Sequence, residues 1–276
     1  MRYVVSKVCL ITGASSGIGA ATARALLQRG WTVYGAARRQ ERLEELVKLG
    51  LRPLYLDVTD PASCATCVGK VMEEAGRIDA LVNNAGYGSY GAFEDVSNEE
   101  AHRQFEVNVF GLATMTREVL PFMRQQQNGH IINISSMGGQ IYTPMGSWYY
   151  ASKRAVEALS DSLRHEVASY GIKVVLIEPG VIRSEWSDIA IKKMEENSAQ
   201  GPYAAVCAKM SKVLKLNYSD AIVGSPDYIA KLVVKAVSSK HPKLRYAGPL
   251  DAKVLLFFKK YVPDWLFDWT VKLICT

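Results

Sequence analysis

The sequence lacks an uninterrupted apolar run of the roughly 18 residues that a helix needs to span a membrane. Its most apolar stretch, from Val254 to Cys275, is broken by lysines, aspartates and a proline. The 276 residues also contain no internal repeat, no low-complexity segment and no linker rich in proline or glycine. These absences argue against a membrane-spanning or repeat protein, and they predict one domain over residues 1–276.

Cysteine is sparse and odd in number. The five cysteines, together with a start that lacks a charged-then-apolar secretory leader, lead us to expect a reducing, cytoplasmic setting. Cys64 and Cys67 have no second cysteine pair and no histidine near them, and the four histidines are scattered singly along the sequence. Because a zinc or thioredoxin-like site would need such partners, we predict no metal.

Basic runs interleaved with aromatic residues are also missing. The net charge is +6, but the lysines and arginines are dispersed along the chain. Proteins that read nucleic acids concentrate this charge on one segment or one face. We therefore predict no nucleic-acid partner, and we interpret the positive charge as serving solubility and an anionic cofactor.

What the sequence does contain is an alternation of short apolar runs with longer helix-like stretches. The runs lie at Val8–Ile11, Thr32–Tyr34, Leu54–Leu56, Ala80–Val82, His130–Ile134, Lys173–Ile177 and Lys243–Ala247. The alternation predicts an α/β fold with a single Rossmann-type, doubly wound parallel sheet of about seven strands and helices on both faces. We expect residues 184–220 to form a substrate loop or lid and residues 226–238 to form a helix. Residues 253–276 are expected to form an apolar helical tail that acts as a small C-terminal lid.

A glycine-rich turn follows the first strand. It runs from Thr12 to Gly19 as T-G-A-S-S-G-I-G, and a helix-like stretch continues from it. Glycines at such a turn let the backbone approach a pyrophosphate, while the helix N-terminus offers N–H groups to it. The spacing is G-x-x-x-G-x-G and not G-x-G-x-x-G, so a tight structural turn is the alternative. The position directly after the first strand favours a dinucleotide site.

The end of the second strand indicates which dinucleotide. An acidic residue there accepts a hydrogen bond from the ribose 2′-hydroxyl of NAD, whereas an arginine suits the 2′-phosphate of NADP. This chain has Gly35-Ala36-Ala37 followed directly by Arg38 and Arg39. The two arginines could also be a solvated helix start. The missing acid favours NADP(H) over NAD(H).

Tyr149 and Lys153 stand four residues apart in a helix-compatible stretch, so both side chains project from one helical face. An unperturbed phenol titrates near about 10, which is too high for an efficient base at neutral pH. A neighbouring ammonium favours the phenolate and lowers that pKa. The pair alone is common, and its meaning depends on the motifs around it.

Further motifs accompany the pair in order along the chain. They are Asn83-Asn84-Ala85-Gly86 after the fourth strand, Asn108 in a helix, Ser136 thirteen residues before Tyr149, and Pro179-Gly180 after the sixth strand. With this set the sequence closely resembles the short-chain dehydrogenase/reductase family along nearly its whole length. The resemblance implies an oxidoreductase that interconverts a hydroxyl and a carbonyl by hydride transfer with NADP(H).

The resemblance also implies roles for individual residues. Tyr149 would be the general acid/base, and Lys153 would bind the nicotinamide ribose and lower the Tyr149 pKa. Ser136 would orient and polarise the substrate oxygen, and Asn108 would hold a water in a proton relay. Tyr150 lacks a lysine at the required offset, so we expect it to be a packing or pocket residue.

The expected cofactor contacts combine the glycine turn, the strand ends and the catalytic helix. They are Gly13, Ser15, Ser16, Gly17, Ile18, Gly19, Arg38, Arg39, Asp57, Val58, Asn84, Ala85, Gly86, Tyr149, Lys153, Pro179, Gly180, Ile182 and Ser184. Asp57 matches the family's adenine contact. Ser184 stands where the family usually has threonine, and it still supplies a hydroxyl for the carboxamide.

Candidate residues for the substrate pocket are aromatic or aliphatic. They are Tyr87, Tyr90, Ile141, Tyr142, Met145 and Trp186. Such a lining suits a lipophilic alcohol or ketone, and the chain resembles the branch of 17β-hydroxysteroid and retinol dehydrogenases, which implies a steroid-like or retinoid-like substrate. The alternatives are a ketoreductase for smaller carbonyls and a non-catalytic NADP-binding sensor, which would be expected to lack one of the four catalytic residues.

The C-terminal tail carries lysines beside bulky apolar residues. It could therefore close over the pocket, form a subunit contact or lie peripherally in a membrane interface. A homo-oligomer, either a dimer or a tetramer, is the expected assembly.

Overall fold

The computed structural model describes residues 6–183, 185–219 and 224–275, with side chains up to residue 216 in the second range. Its strands are β1 (Val8–Thr12), β2 (Thr32–Ala37), β3 (Arg52–Tyr55), β4 (Ala80–Asn83), β5 (Gly129–Ile134), β6 (Ile172–Pro179) and β7 (Arg245–Gly248). They form one seven-stranded sheet in the order β3-β2-β1-β4-β5-β6-β7, and every neighbouring pair is parallel. The predicted doubly wound α/β fold is therefore confirmed.

The helices follow the strands as βαβ connections require. They are α1 (Gly17–Leu27), α2 (Glu44–Val47), α3 (Pro61–Ala75), α4 (Asn98–Phe105), α5 (Leu112–Gln126), α6 (Ser147–Val167), α7 (Glu185–Ser198), α8 (Ala204–Ser219), α9 (Pro226–Ser238), α10 (Leu250–Tyr261) and α11 (Asp264–Cys275). The predicted helix over residues 226–238 coincides with α9. Among the described residues, no helix is both long and apolar enough to cross a membrane.

Both faces of the sheet are buried, as expected for a parallel sheet covered by helices. All five residues of β1 and all six of β5 are buried. One core lies between the sheet and α1 and α9, where Ile11, Leu26 and Val233 meet. The other lies on the opposite face, where Leu81, Met115 and Val71 pack together.

Strand order reverses between β1 and β4, because β2 and β3 lie on one side of β1 and β4 to β7 on the other. At such a reversal the connections leave the sheet in opposite directions and open a crevice at the carboxyl ends of the strands, where ligands bind. The glycine turn after β1 and the Asn-Asn-Ala-Gly segment after β4 both lie at this crevice.

The third strand differs from its sequence-based prediction. The apolar run predicted Leu54–Leu56, but β3 spans Arg52–Tyr55 and buries only Leu54. It includes Pro53, which a strand at the edge of a sheet tolerates because one of its sides needs no hydrogen-bond partner. The edge position, and not hydrophobicity, sets these limits.

Candidate active site

The glycine turn is closed by contacts that leave no room for side chains. Gly13 has φ +65°, and a Cβ placed on it would lie 2.9 Å from the Ala85 Cα. The Asn84 side-chain amide donates to the carbonyls of Thr12 and Gly13, each at 3.0 Å. A Cβ on Gly19 would collide with the Gly13 carbonyl oxygen. These contacts fix the start of α1 directly against the end of β4.

The same turn fits a pyrophosphate. Within the described part of the chain, the Ser16 side chain makes no capping hydrogen bond to α1, and the first turn of that helix contains no acidic residue. Its N–H groups and the positive end of its dipole therefore face the crevice without a negative partner from the protein. Gly13, Ser16, Gly17 and Gly19 belong to this turn, and their contact with a dinucleotide phosphate stays a prediction.

Positive charge stands at the end of β2. Arg38 and Arg39 follow the buried Ala37 and are exposed. Burial alone would raise the pKa of the Asp57 carboxyl, but hydrogen bonds from Thr59 and the charges of Arg38 and Arg103 outweigh it and lower that pKa. Arg38 is therefore close enough to the end of β3 to act electrostatically on the predicted adenine-binding carboxylate.

Asn108 lies in a π-helical segment, residues 106–111, between α4 and α5. Its side-chain oxygen accepts from the Tyr87 N–H at 3.0 Å, and its amide donates to the Tyr87 carbonyl at 2.9 Å and to Ser152 Oγ at 3.1 Å. A single side chain therefore ties the loop after β4 to α6. Short π segments are frequent at functional sites because they redirect one side chain within a helix.

The Ser136 turn and the Tyr149 ring lie side by side. Ser136 follows β5, and its Oγ accepts from the Gly138 N–H at 3.0 Å. A Cβ on Gly138 would lie 3.3 Å from Cε1 of Tyr149, which is buried near the start of α6. The sequence-predicted serine and tyrosine are thus brought to one place at the carboxyl edge of the sheet.

Lys153 completes this group from one helical turn further along α6. Its Nζ donates to the Ile134 carbonyl at 2.9 Å and lies 6.0 Å from the centroid of the Tyr149 ring. A Cβ on Gly86 would lie 3.7 Å from this nitrogen and 3.1 Å from Asn108 Oδ1. Burial lowers the pKa of the Lys153 ammonium to about 8, and the charge of Glu157 opposes that shift. The Lys153 ammonium therefore gives up its proton more readily than an ordinary lysine does.

An aromatic cluster covers Tyr149. The Trp186 ring lies 5.2 Å from the Tyr149 ring, and the Tyr90 ring lies 5.6 Å from it, measured between centroids. Met145 packs in the same cluster. Trp186, the second residue of α7, fills the space in front of Gly88, where a Cβ would overlap the indole. Trp186 and Tyr90 thus both pack against the Tyr149 ring.

Tyr150 belongs to the wall of this cluster and not to the Lys153 face. It shares a hydrogen bond of 2.7 Å with Thr143 and lies 3.5 Å from the Tyr90 hydroxyl. Burial raises the pKa of the Tyr150 hydroxyl, although these hydrogen bonds oppose the shift. A phenol in this environment is a packing group with a polar anchor.

Three other pocket candidates have different surroundings. The Tyr87 hydroxyl donates to Glu100 at 3.1 Å, and the Tyr142 hydroxyl donates to Asp268 of α11 at 2.5 Å. Ile141 is buried, and its N–H donates to the Met137 carbonyl at 3.0 Å. The structure thus brings Tyr90, Met145 and Trp186 to Tyr149. The hydroxyls of Tyr87 and Tyr142 are instead bonded to acidic side chains.

The turn after β6 is held by hydrogen bonds to β7 and α10. The Gly180 N–H donates to the Gly248 carbonyl at 2.9 Å, and the Val181 N–H donates to the Asp251 carboxylate at 2.8 Å. Ile182 is buried in the core beside α9. Ser184 lies outside the described residues.

A buried charged group beneath the site was missed by sequence reasoning. Arg245 of β7 donates to Glu157 Oε2 at 3.0 Å and lies 3.5 Å from Glu178 Oε1. Gln140, which follows the Ser136 turn, donates to Glu178. The spacing of Tyr149, Lys153 and Glu157, each four residues after the last, could have predicted the inward position of Glu157.

Among the described residues, no three His, Cys, Asp or Glu side chains form a group able to hold a metal ion.

The chain is similar to known proteins over most of its length. Residues 7–195 match the family model described as short chain dehydrogenase. The chain is 39% identical over 252 residues to Oxidoreductase BOA17 of Botryotinia fuckeliana, covering 90% of each protein. It is 36% identical over 269 residues to a 3-ketodihydrosphingosine reductase of Bacteroides thetaiotaomicron, covering 97% of each.

Solved structures share the whole architecture. A short-chain dehydrogenase from Streptomyces avermitilis superposes with a TM-score of 0.82 at 36% identity, over 96% of this chain and 97% of that one. A serine dehydrogenase complexed with NADP+ gives 0.77 at 29% identity, over 88% and 95% of the two chains. A short-chain dehydrogenase/reductase from Burkholderia phymatum in complex with NAD gives 0.80 at 26% identity, over 94% of each. These neighbours support a nicotinamide nucleotide as cofactor.

Proposed function

The chain belongs to the short-chain dehydrogenase/reductase family of oxidoreductases, and from this premise we propose that it is an NADP(H)-dependent enzyme that interconverts a lipophilic alcohol and its carbonyl compound. One observation carries the proposal. The Tyr149 ring lies against the Ser136 turn, and the buried Lys153 ammonium is 6.0 Å from its centroid. This arrangement supplies a proton donor and acceptor at the edge of the crevice to which the glycine turn belongs.

Each side chain has a distinct task in this reaction. The Tyr149 hydroxyl gives its proton to the carbonyl oxygen during reduction and takes it back during oxidation. Lys153 holds a positive charge beside that phenol, which favours its ionised form. Ser136 donates to the substrate oxygen, and Asn108 keeps the loop after β4 in register with α6. The nicotinamide, when bound, supplies or accepts the hydride.

The preference for NADP(H) rests on the end of β2. Arg38 is exposed there, next to Ala37, and no acidic side chain occupies the strand end. The charge of Arg38 is among the influences that lower the pKa of Asp57, the predicted adenine contact, so the two residues are close enough to interact electrostatically. A guanidinium recognises a phosphate by charge-assisted hydrogen bonds, whereas it offers little to a ribose hydroxyl.

The lipophilic substrate is inferred from the wall around Tyr149. Trp186, Met145, Met194 and Met210 belong to one apolar cluster with it. Such a surface suits a steroid-like or retinoid-like alcohol or ketone, and a ketodihydrosphingosine-type ketone belongs beside them because a relative bears that name. A smaller carbonyl compound is the second candidate, since the aromatic cluster as it stands leaves little room above Tyr149.

We further propose that α7 and α8 act as a lid within the single domain. Glu185 at the start of α7 pairs with Arg42, which follows β2, at 2.9 Å. The pair joins the lid to the cofactor half of the protein across the crevice. Both side chains are substantially exposed, so the ion pair is weak and compatible with opening.

The decisive assay follows NADPH consumption with a panel of carbonyl compounds, namely steroid ketones, retinal, a ketodihydrosphingosine, medium-chain aldehydes and small polar ketones, with NADH as a parallel cofactor. We expect NADPH-dependent turnover of the bulky apolar compounds. Turnover of small polar ketones only would refute the lipophilic pocket, and equal or better use of NADH would refute the role of Arg38. Tight NADPH binding without turnover of any carbonyl compound would favour a non-catalytic sensor.

A further inference from the structure

Helix α10 exposes an apolar stripe. Leu250, Val254, Phe257 and Tyr261 are 68%, 57%, 67% and 63% exposed. Their spacing of four, three and four residues places them on one face of the helix. A soluble protein normally turns such a face toward its core, so the stripe is oriented opposite to the usual amphipathic pattern.

Helix α11 also exposes apolar side chains on one face, while side chains on its other face are buried in the protein. Trp265, Trp269 and Leu273 repeat every four residues and are 70%, 58% and 63% exposed. On its inner side, Phe267 and Cys275 are buried. About half of the large apolar side chains exposed among the described residues lie in these two helices. An apolar concentration of this size marks an interaction surface.

The chemistry of the stripe favours a lipid surface over a second copy of the chain. Lys253, Lys260 and Lys272 are exposed on the same two helices. Tryptophan and tyrosine rings lie well at the boundary between acyl chains and headgroups, and lysines reach anionic phosphates beside them. The two exposed aspartates of α11 are engaged, Asp264 with Lys259 and Asp268 with Tyr142. In a two-fold contact the same face supplies both sides, so the lysines would meet a surface whose exposed α11 aspartates are already engaged.

The stripe adjoins the proposed active site. The Phe267 ring, on the inner side of α11, lies 5.3 Å from the Tyr142 ring, and Val271 and Cys275 pack into the cluster that contains Tyr149. At the other end, Asp251 of α10 holds the turn after β6. We propose that the outer faces of α10 and α11 dock peripherally on an anionic phospholipid surface. This docking goes beyond the proposed reaction and is tested without it.

The test is sedimentation of the full chain with vesicles of phosphatidylcholine alone or mixed with phosphatidylserine. We expect binding to the mixed vesicles that weakens with added salt. The variant with Trp265→Gln and Trp269→Gln should lower vesicle binding by at least about tenfold, because it removes the two largest side chains of the stripe. A matched variant with Leu49→Gln and Tyr55→Gln removes two exposed apolar side chains elsewhere and should bind like wild type.

Two further measurements keep the result decisive. Thermal unfolding of both double variants establishes that they fold, and sedimentation equilibrium without lipid gives the mass of each. Wild type that fails to bind mixed vesicles would overturn the proposal, as would an equal loss in both variants. A mass that falls only in the tryptophan variant, without vesicle binding by wild type, would assign the stripe to a subunit contact instead. Variant Lys253→Gln with Lys260→Gln should lose the preference for phosphatidylserine while retaining its fold.

Discussion

The buried carboxylates near the Ser136 turn lead to a quantitative prediction. Burial first, and repulsion by Glu157 second, raise the pKa of Glu178 from an ordinary 4.5 to about 7. Gln140 and Arg245 partly offset these effects. Glu178 is the second-to-last residue of β6, directly before Pro179-Gly180, and it is buried.

The sign of the pH dependence follows from this shift. Between pH 4.5 and 7 the folded protein binds this proton more strongly than the unfolded chain, so the contribution of Glu178 to stability falls as pH rises through that window. Glu178→Gln removes the titration and keeps an acceptor for Gln140. At about 1.4 kcal/mol per pKa unit, the stability of the variant relative to wild type should increase by about 2–3 kcal/mol between pH 5 and pH 8.

Urea denaturation at pH 5 and pH 8 measures both proteins directly. Glu166→Gln is the matched control, because it removes the same charge from an exposed position of α6. Its free energy of unfolding should differ from that of wild type by no more than about 0.5 kcal/mol at either pH. A variant whose stability relative to wild type stays constant between the two pH values, or falls at pH 8, would refute the reasoning about Glu178.

Two predictions concern specificity. Arg38→Ala should lower kcat/KM for NADPH by about 10- to 100-fold and kcat/KM for NADH by less than about twofold. The control variant Arg29→Ala, beyond the C-terminal end of α1, should change neither value. Steady-state rates are measured with both cofactors, and an equal loss with NADPH and NADH in Arg38→Ala would contradict the assignment. Trp186→Ala should raise the kcat/KM for bulky ketones relative to that for small ketones by about tenfold. Trp148 stacks on Phe93, and the control variant Trp148→Ala should leave this ratio unchanged. An unchanged ratio in Trp186→Ala would show that Trp186 does not line the pocket.

Most of the fold could be predicted because hydrophobic periodicity and turn residues act locally. The central strands are buried on both faces, so β1 and β5 stand out as continuous apolar runs. The edge strand β3 could not be placed as well, since only Leu54 is buried and Pro53 is tolerated by its position in the sheet. Position within a sheet is a tertiary property, and a local pattern does not encode it.

The features of the candidate site likewise fall into those that the sequence predicts and those that only the structure shows. The spacing of Tyr149 and Lys153 and their common helical face follow from the sequence alone. The π-helical segment around Asn108, the indole of Trp186 over Tyr149 and the arginine beneath Glu157 arise from contacts between residues distant in sequence. The glycine spacing identified the turn, but only the structure shows that Asn84 holds it through the carbonyls of Thr12 and Gly13.

The most direct test of the central claim compares two neighbouring tyrosines. Tyr149→Phe and Tyr150→Phe each remove one hydroxyl from α6, but only the first lies on the Lys153 face. With NADPH and the best carbonyl compound of the panel, Tyr149→Phe should lower kcat by at least about 100-fold while NADPH binding, measured by fluorescence titration, stays within about twofold. Tyr150→Phe should keep kcat within about tenfold of wild type. Retained turnover in Tyr149→Phe, or a larger loss in Tyr150→Phe, would contradict the account.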